Sequence, residues 1–272
     1  MRFTNLSSGS TGNATIVNNH DVTLLVDVGF GVKRMDQLLN ERGISGNQLD
    51  GILITHEHID HIKGLGAFVR KYDVPIYANE KTWEVLHTKI GEIDDKNKKI
   101  METDSIKDFG SLRVESFGVS HDAQDPVGYC FYDQELKLSL VTDLGYLSTK
   151  VKEKIVDSEV IVLETNHDVE MVRMGRYPWH IKQRILGDKG HLSNESAAEG
   201  LADVLSGKTT SVYMGHISQN HNQIDIARLT IHDVLKEHGV SLKDCHVRLM
   251  DTYYNRPTEW DDLQRVDEEL KR

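Results

Sequence analysis

Thr55-His56-Glu57-His58-Ile59-Asp60-His61 contains, in His56, His58, Asp60 and His61, three imidazoles and a carboxylate at metal-ligand spacing within six positions. These are the donors that divalent zinc or manganese prefers. At this chain's own His and Asp frequencies, an H-x-H-x-D-H match arises by chance in about three of a thousand such sequences. That rarity sets a solvated polar loop aside. The flanks agree with the metal reading. Asp50 to Thr55 has the pattern of a short buried strand, and His61 to Val69 that of an amphipathic helix. The ligands are therefore expected at the carboxyl end of a strand, where open α/β sheets place their sites.

With 272 residues the chain can bury a sizeable core. A net charge of −11 counts against a broad basic face for nucleic acid but leaves room for a local one. The two cysteines, Cys130 and Cys245, lie far apart in apolar contexts and form neither a C-x-x-C pair nor a disulfide framework. Both are expected to be buried structural thiols in a reducing compartment. No apolar run reaches the length of a membrane span, the longest strand-like one being Val22 to Val28. The N-terminus lacks the apolar centre of a signal peptide. A cytoplasmic protein without membrane contact is expected.

Short apolar runs bounded by turn residues predict strands at 13–17, 22–28, 51–55, 74–78, 112–119, 127–132, 137–142, 159–164, 210–215 and 246–250. Helical periodicity covers 32–42, 61–71, 80–89, 148–156, 194–205 and 224–238. This order departs from regular βαβ alternation. It suits an α/β fold of two mixed sheets packed face to face with helices outside. Residues 1–256 are expected to form one domain, with 91–99 a charged surface loop. An acidic tail over 257–272 is expected to fray.

Three further ligand-type residues follow predicted strands. His121 stands in Gly118-Val-Ser-His-Asp122, Asp143 in Leu140-Val-Thr-Asp-Leu-Gly145, and His216 in Tyr213-Met-Gly-His-Ile-Ser218. One such residue would ordinarily be a structural histidine or a turn aspartate. Three at equivalent places beside H-x-H-x-D-H point to a composite metal site.

In this order the motifs resemble those of the metallo-β-lactamase superfamily, whose fold is a four-layer αββα sandwich. Leu6-Ser-Ser-Gly-Ser-Thr-Gly-Asn13, Gly118 to Asp122, Glu164-Thr-Asn-His-Asp168, Lys182-Gln-Arg-Ile-Leu186 and Gly190-His-Leu-Ser-Asn-Glu195 extend the likeness. Together they resemble the WalJ branch, also called YycJ or VicX, over residues 1 to about 255. The resemblance implies two divalent ions, zinc or manganese. It implies His56, His58 and His121 on one ion, Asp60, His61 and His216 on the other, and Asp143 bridging both. Ligand softness does not separate the two metals, because no cysteine is among the candidates. Two ions can hold a hydroxide for attack on phosphorus.

His191, ahead of a helix that Ser193 is placed to cap, resembles the general acid of phosphodiesterases with this fold. Glu164 is expected to orient it. Asp60 is a candidate proton acceptor as well as a ligand. Asn166 and His167 are candidate substrate contacts, and Asp27 resembles a structural carboxylate beneath the metal loop. The glycine-rich turn from Ser7 to Asn13 reads either as a phosphate cradle or as a plain hairpin loop. His87, His232 and His238 are expected on helices and His246 on a strand, in surface or core roles.

Between Asp143 and His191 lies a basic segment. Arg173, Arg176, Lys182, Arg184 and Lys189 stand there against one acid, Asp188, with Tyr177 and Trp179 among them. Cations interleaved with aromatic planes suit a nucleic-acid channel. The competing reading is a solvated helix face with a buried Trp. The resemblance implies a double-stranded DNA exonuclease, acting from 5′ to 3′. A small-molecule or cyclic phosphodiesterase stays open. So does a signalling partner of a cell-wall two-component system with non-catalytic metals, since genes of this branch accompany such a system in Gram-positive bacteria. Oligomeric state is not legible.

Overall fold

The computed structural model describes residues 1–263. Contacts divide the chain into two compact units. One comprises Met1–Gly118, Asp122–Tyr129 and Thr252–Asp262; the other comprises Val119–His121, Cys130–Asp251 and Leu263.

The first sheet has seven strands in the order Asp261–Asp262, Arg2–Ser7, Ala14–Asn18, Thr23–Val26, Gly51–Leu53, Ile76–Ala78 and Lys98–Ile100. Short turns join its early strands, which therefore pair antiparallel. From Thr23–Val26 onward the pairings are parallel, and helices Val32–Asn40, Leu65–Tyr72 and Glu80–Lys89 occupy the connections. The core of this unit joins Leu6, Ile16, Leu25 and Ile52 of the strands to Met35, Leu38, Phe68 and Leu86 of the helices.

The second sheet also has seven strands, in the order Arg248–Asp251, Ser211–Gly215, Val160–Glu164, Leu136–Val141, Val127–Asp133, Leu112–Gly118 and Ile106–Phe109. The strand Val160–Glu164 is buried at every position, and its parallel neighbours lie on both sides. Its uninterrupted Val-Ile-Val-Leu run reflects burial on two faces. Helix Asn194–Val204 packs against Ile224–Glu237. Gly200 of the first helix leaves room for Leu147, since a Cβ there would lie 2.1 Å from Leu147 Cδ1. Among the described residues no helix is long and apolar enough to cross a membrane.

Several local expectations change. The helix expected over 61–71 is two pieces, Ile59–Ile62 and Leu65–Tyr72. They part at Gly64, whose backbone N–H donates to the Val28 carbonyl rather than within the helix, and where a Cβ would stand 1.8 Å from the Phe30 carbonyl oxygen. In the 91–99 loop, Ile93 and Asn97 are buried, and Lys98 begins an edge strand. Cys130 is buried as expected, whereas Cys245 is exposed. Cys245 and His246 lie in a turn, and the strand starts at Arg248. Beyond Pro257 the chain is tied down through its described part. Thr258 donates its backbone N–H to the Asn5 carbonyl, Arg42 holds the carbonyls of Pro257 and Thr258, and Asp261–Asp262 pairs with Arg2–Phe3. The rest of the expected tail, 264–272, lies outside the described residues.

Candidate metal centre

In the first unit, the segment after strand Gly51–Leu53 carries His56, His58, Asp60 and His61, with His58 capping the short helix Ile59–Ile62. Asp27 lies beneath it. Its carboxylate accepts from the Thr55 backbone N–H at 2.9 Å, from Thr55 Oγ1 at 2.9 Å and from His61 Nδ1 at 2.8 Å. Burial pushes the Asp27 carboxyl up, and the charge and hydrogen bond of His61 oppose that rise. Thr55 Oγ1 donates to Asp27, so it receives the His56 Nδ1 proton at 3.0 Å. Both rings are thereby held through Nδ1 and present Nε2. His58 lies 3.7 Å from Asp122.

Asn13 meets the same group. Its Nδ2 is 3.0 Å from His61 Nε2 and 3.3 Å from Asp60 Oδ2, while its Oδ1 accepts from the Gly9 backbone. The glycine-rich turn thus delivers one amide to the ligand cluster. Gly29 makes room for it, because a Cβ there would fall 2.1 Å from the Asp60 carbonyl oxygen and 2.3 Å from the Asn13 nitrogen. Gly29→Ala is expected to destabilise the protein by about 3 kcal/mol, the upper part of the overpacking range. It should also weaken zinc binding by displacing Asp60. Thermal unfolding and metal competition, with Gly31→Ala in open space as the control, check this.

In the second unit, His121, Asp143, Glu164, His191 and His216 converge. Ligand-type atoms of Asp143, Glu164, His191 and His216 all lie within 4.8 Å of one another. Glu164 is fully buried and organises them. Its Oε2 accepts from the backbone N–H groups of Leu144 and Leu192, and its Oε1 accepts from His191 Nδ1 at 2.8 Å and His216 Nδ1 at 2.9 Å. Burial alone would raise its pKa, but the charge and hydrogen bond of His191 and the bond from His216 outweigh it and hold it at about 2. Reciprocally, burial acts against the His191 cation and Glu164 overcomes it, so its pKa is raised. His121 donates Nδ1–H to the Gly190 carbonyl at 2.9 Å, and its Nε2 lies 3.8 Å from Asp143.

Three of the eight non-glycine residues with positive φ among the described residues fall here, Asp27, Asp143 and His216, at 63°, 60° and 51°. Left-handed backbone in non-glycine residues clusters at functional sites. Asn166 supports the last of them by donating Nδ2–H to the His216 carbonyl at 2.8 Å. His167 is buried beside it, and burial pushes its imidazole down to about 4. Both are candidates for a substrate contact or a turn role, and the hydrogen bonds they make here are internal.

The basic segment forms helices Val169–Met174 and Trp179–Leu186, and the second has no buried residue. Trp179 is 66% exposed, which excludes the reading with a buried Trp. Arg173 pairs with Glu170, and Lys182 Nζ donates to the Arg173 carbonyl. Arg176, Arg184 and Lys189 point into solvent-exposed positions. The segment is joined to the ligand cluster through Ser120 Oγ to the Asp188 carbonyl and His191 N–H to the Ile185 carbonyl. Sequence reasoning passed over Thr55, Gly29 and the Gly190 carbonyl. For Gly29 the only signal was its place directly after Asp27-Val28.

Imidazoles anchored at Nδ1 by carboxylate, hydroxyl or carbonyl, with Nε2 left to face a cation, are how proteins present histidine to a divalent metal. This donor set, rich in imidazole and carboxylate and without thiolate, fits such an ion. The chain belongs to the β-lactamase superfamily: the family model described as "Beta-lactamase superfamily domain" matches residues 23–217, a span that holds every candidate ligand. It is 46% identical to exodeoxyribonuclease YycJ of Bacillus anthracis over 259 residues, covering 95% of this chain and 98% of that one. It is 42% identical to exodeoxyribonuclease WalJ of Streptococcus pneumoniae over 233 residues, covering 85% and 87%. Among solved structures it resembles the metallo-β-lactamase fold protein YhfI from Bacillus subtilis, with a TM-score of 0.70 at 14% identity over 94% and 98% of the two chains. The αββα sandwich expected from the motifs is therefore the fold of this chain, and the chain is a metal-dependent hydrolase.

Proposed function

We propose that the chain is a metal-dependent exonuclease of double-stranded DNA, acting from 5′ to 3′, whose two units work as one catalytic domain. The observation that carries the reading is the set of imidazoles anchored at Nδ1, with a carboxylate-held His191 beside them. The exodeoxyribonuclease relatives at 46% and 42% identity supply the substrate class.

In this reading His56, His58 and His121 would hold one divalent ion and Asp60, His61 and His216 a second, with Asp143 available to both. When bound, the ions lower the pKa of water toward about 7 and neutralise charge developing on the phosphate. Asp60 takes a proton from the nucleophile. His191, whose charged form Glu164 favours, gives a proton from Nε2 to the departing sugar oxygen. Asn13 Nδ2–H stabilises the side chain of Asp60 or a phosphate oxygen beside it. Zinc and manganese both suit the donors. A functional link to a two-component system rests on the family resemblance.

The test is cleavage of end-labelled duplex DNA with zinc, manganese and magnesium supplied in turn to chelator-stripped protein. The reading expects activity that returns with at least one metal and releases products from 5′ ends. It fails if Asp143→Asn cleaves as well as the wild type. Cyclic nucleotides turned over faster than duplex DNA would favour the small-phosphodiester alternative.

The basic segment supports a further expectation. Arg176→Ala should weaken DNA binding uniformly across sequences and reduce the salt slope of log K by about 1, the signature of one lost phosphate contact. Arg173→Ala should have a smaller effect, because its guanidinium is shared with Glu170. Binding measured between 50 and 200 mM salt, roughly the range over which such contacts are read, checks both. Identical slopes for wild type and Arg176→Ala would remove this segment from the DNA path.

A further inference from the structure

Resting on the nuclease reading, we propose that Trp179 is a stacking platform for one particular base of the DNA strand, two or three nucleotides from the bond being cut. Its exposure is the first observation. Large apolar side chains are ordinarily buried, yet Met174 is 82% exposed, Trp179 66% and Tyr177 38%, all within six residues. The helix that Trp179 begins has no buried residue. Packing within the protein therefore does not account for the placement of this aromatic.

The second observation is that the patch is held rather than loose. Tyr177 accepts a hydrogen bond from Asn220 Nδ2 at 2.7 Å and sets its ring edge-on to buried His221, with centroids 4.5 Å apart. Gly175 lets the turn settle onto His221, since a Cβ there would lie 2.4 Å from His221 Nε2. Lys182 is drawn back to the Arg173 carbonyl, which joins the two helices. Trp179 thus projects from a braced hairpin.

The third observation is charge. Arg176, Arg184 and Lys189 stand exposed on the same segment of a chain with net charge −11. An exposed aromatic among cations suits a polyanion with flat apolar faces, which is what a nucleic-acid strand offers. A second copy of this chain, carrying the same cations and the same overall acidity, matches the patch less well.

Helix length sets the distance. Trp179 lies six residues before Ile185, whose carbonyl receives the His191 backbone N–H. At about 1.5 Å per residue this is about 9 Å along the helix. With roughly 3.4 Å per nucleotide along a strand, that length matches two or three nucleotide steps between Trp179 and the backbone at His191. Trp179 is a binding and positioning residue in this scheme; the reacting atoms stay with His191 and the ligands.

The experiment uses metal-loaded full-length enzyme and end-labelled duplexes in which one abasic nucleotide is walked inward from the cleaved end. Trp179→Ala is expected to lower kcat/KM on intact DNA about tenfold, the effect of one lost stack, and Trp179→Phe to restore most of it. At one abasic position, two or three nucleotides in, the wild type should fall to the rate of Trp179→Ala and the two should converge. Additive losses at every position would overturn the proposal, as would equal rates for Trp179→Ala and wild type on intact DNA. A wild-type dimer in sedimentation that Trp179→Ala abolishes, with DNA kinetics unmoved, would overturn it in favour of self-association. Failure of the underlying reading looks different: wild-type enzyme that turns over bis(p-nitrophenyl) phosphate yet leaves every duplex intact.

Discussion

His191→Ala retains its metal and loses about 10²- to 10⁴-fold in turnover of DNA, the ordinary contribution of a positioned general acid. The same variant loses less than about tenfold on bis(p-nitrophenyl) phosphate, because nitrophenolate departs without a proton and does not draw on that catalysis. The split follows from how the ring is held. Nδ1–H is committed to Glu164 at 2.8 Å, so Nε2 is the nitrogen left for substrate. Glu164 also favours the imidazolium strongly enough to overcome burial, which raises the His191 pKa and so favours a proton on Nε2. The ring lies between His121 and His216, with centroids 5.1 Å and 5.2 Å away. A helix-capping role would predict a different pattern: cap strength resides in Ser193, whose hydroxyl accepts from the Ser196 backbone. Equal losses on the two leaving groups, with zinc content intact, would remove the acid role from His191. A fall in zinc content would make it a ligand instead.

How much of this was readable beforehand depends on which forces decided each residue. Candidate ligands at strand ends were legible because an apolar run followed by His or Asp encodes both the strand and the place where it stops. His121, Asp143 and His216 were all found in that way. The left-handed backbone at Asp27, Asp143 and His216 was not, since tertiary contacts impose it. Glu164 read as a partner of His191 alone; that one oxygen also serves His216 emerges only when two parallel strands set their ends side by side. Trp179 shows the converse limit. Its residue type admits both a buried and an exposed reading, and no periodicity in a short helix reveals that none of the helix's residues is buried. After Pro257 the acidic composition reads as solvated. Yet Trp260 lies under the Arg2 guanidinium and donates to the Arg42 carbonyl, and those partners are more than two hundred residues away in sequence.

Glu164→Gln is expected to do more damage than its near-identical shape implies. The native carboxylate is acceptor-only and receives four N–H groups, two on each oxygen. An amide must put an NH₂ on one side. Placed toward Leu144 and Leu192, it opposes two backbone N–H groups; placed toward the imidazoles, it opposes two Nδ1–H groups. Either choice leaves donors facing donors in a fully buried spot, which costs about 3 kcal/mol or more. His216 then loses the partner that fixes its tautomer, and metal affinity should fall about 10- to 100-fold, as it does when such partners are removed. His191 loses its charge support in the same step, so DNA cleavage should drop at least as far as in His191→Ala. The acid response supplies an independent readout in the metal-free protein. The Glu164 pKa is depressed from its ordinary 4.5 to about 2. Its stabilising contribution is therefore complete above about 4.5 and is lost as pH falls toward 2. Wild-type apoprotein should lose stability steeply across that window, and Glu164→Gln, already lacking the contribution, should lose less there. Urea midpoints at several pH values, with zinc competition beside them, measure both effects. A variant as stable as wild type at neutral pH and equally acid-sensitive would show that the His191–Glu164–His216 linkage does not hold the centre together.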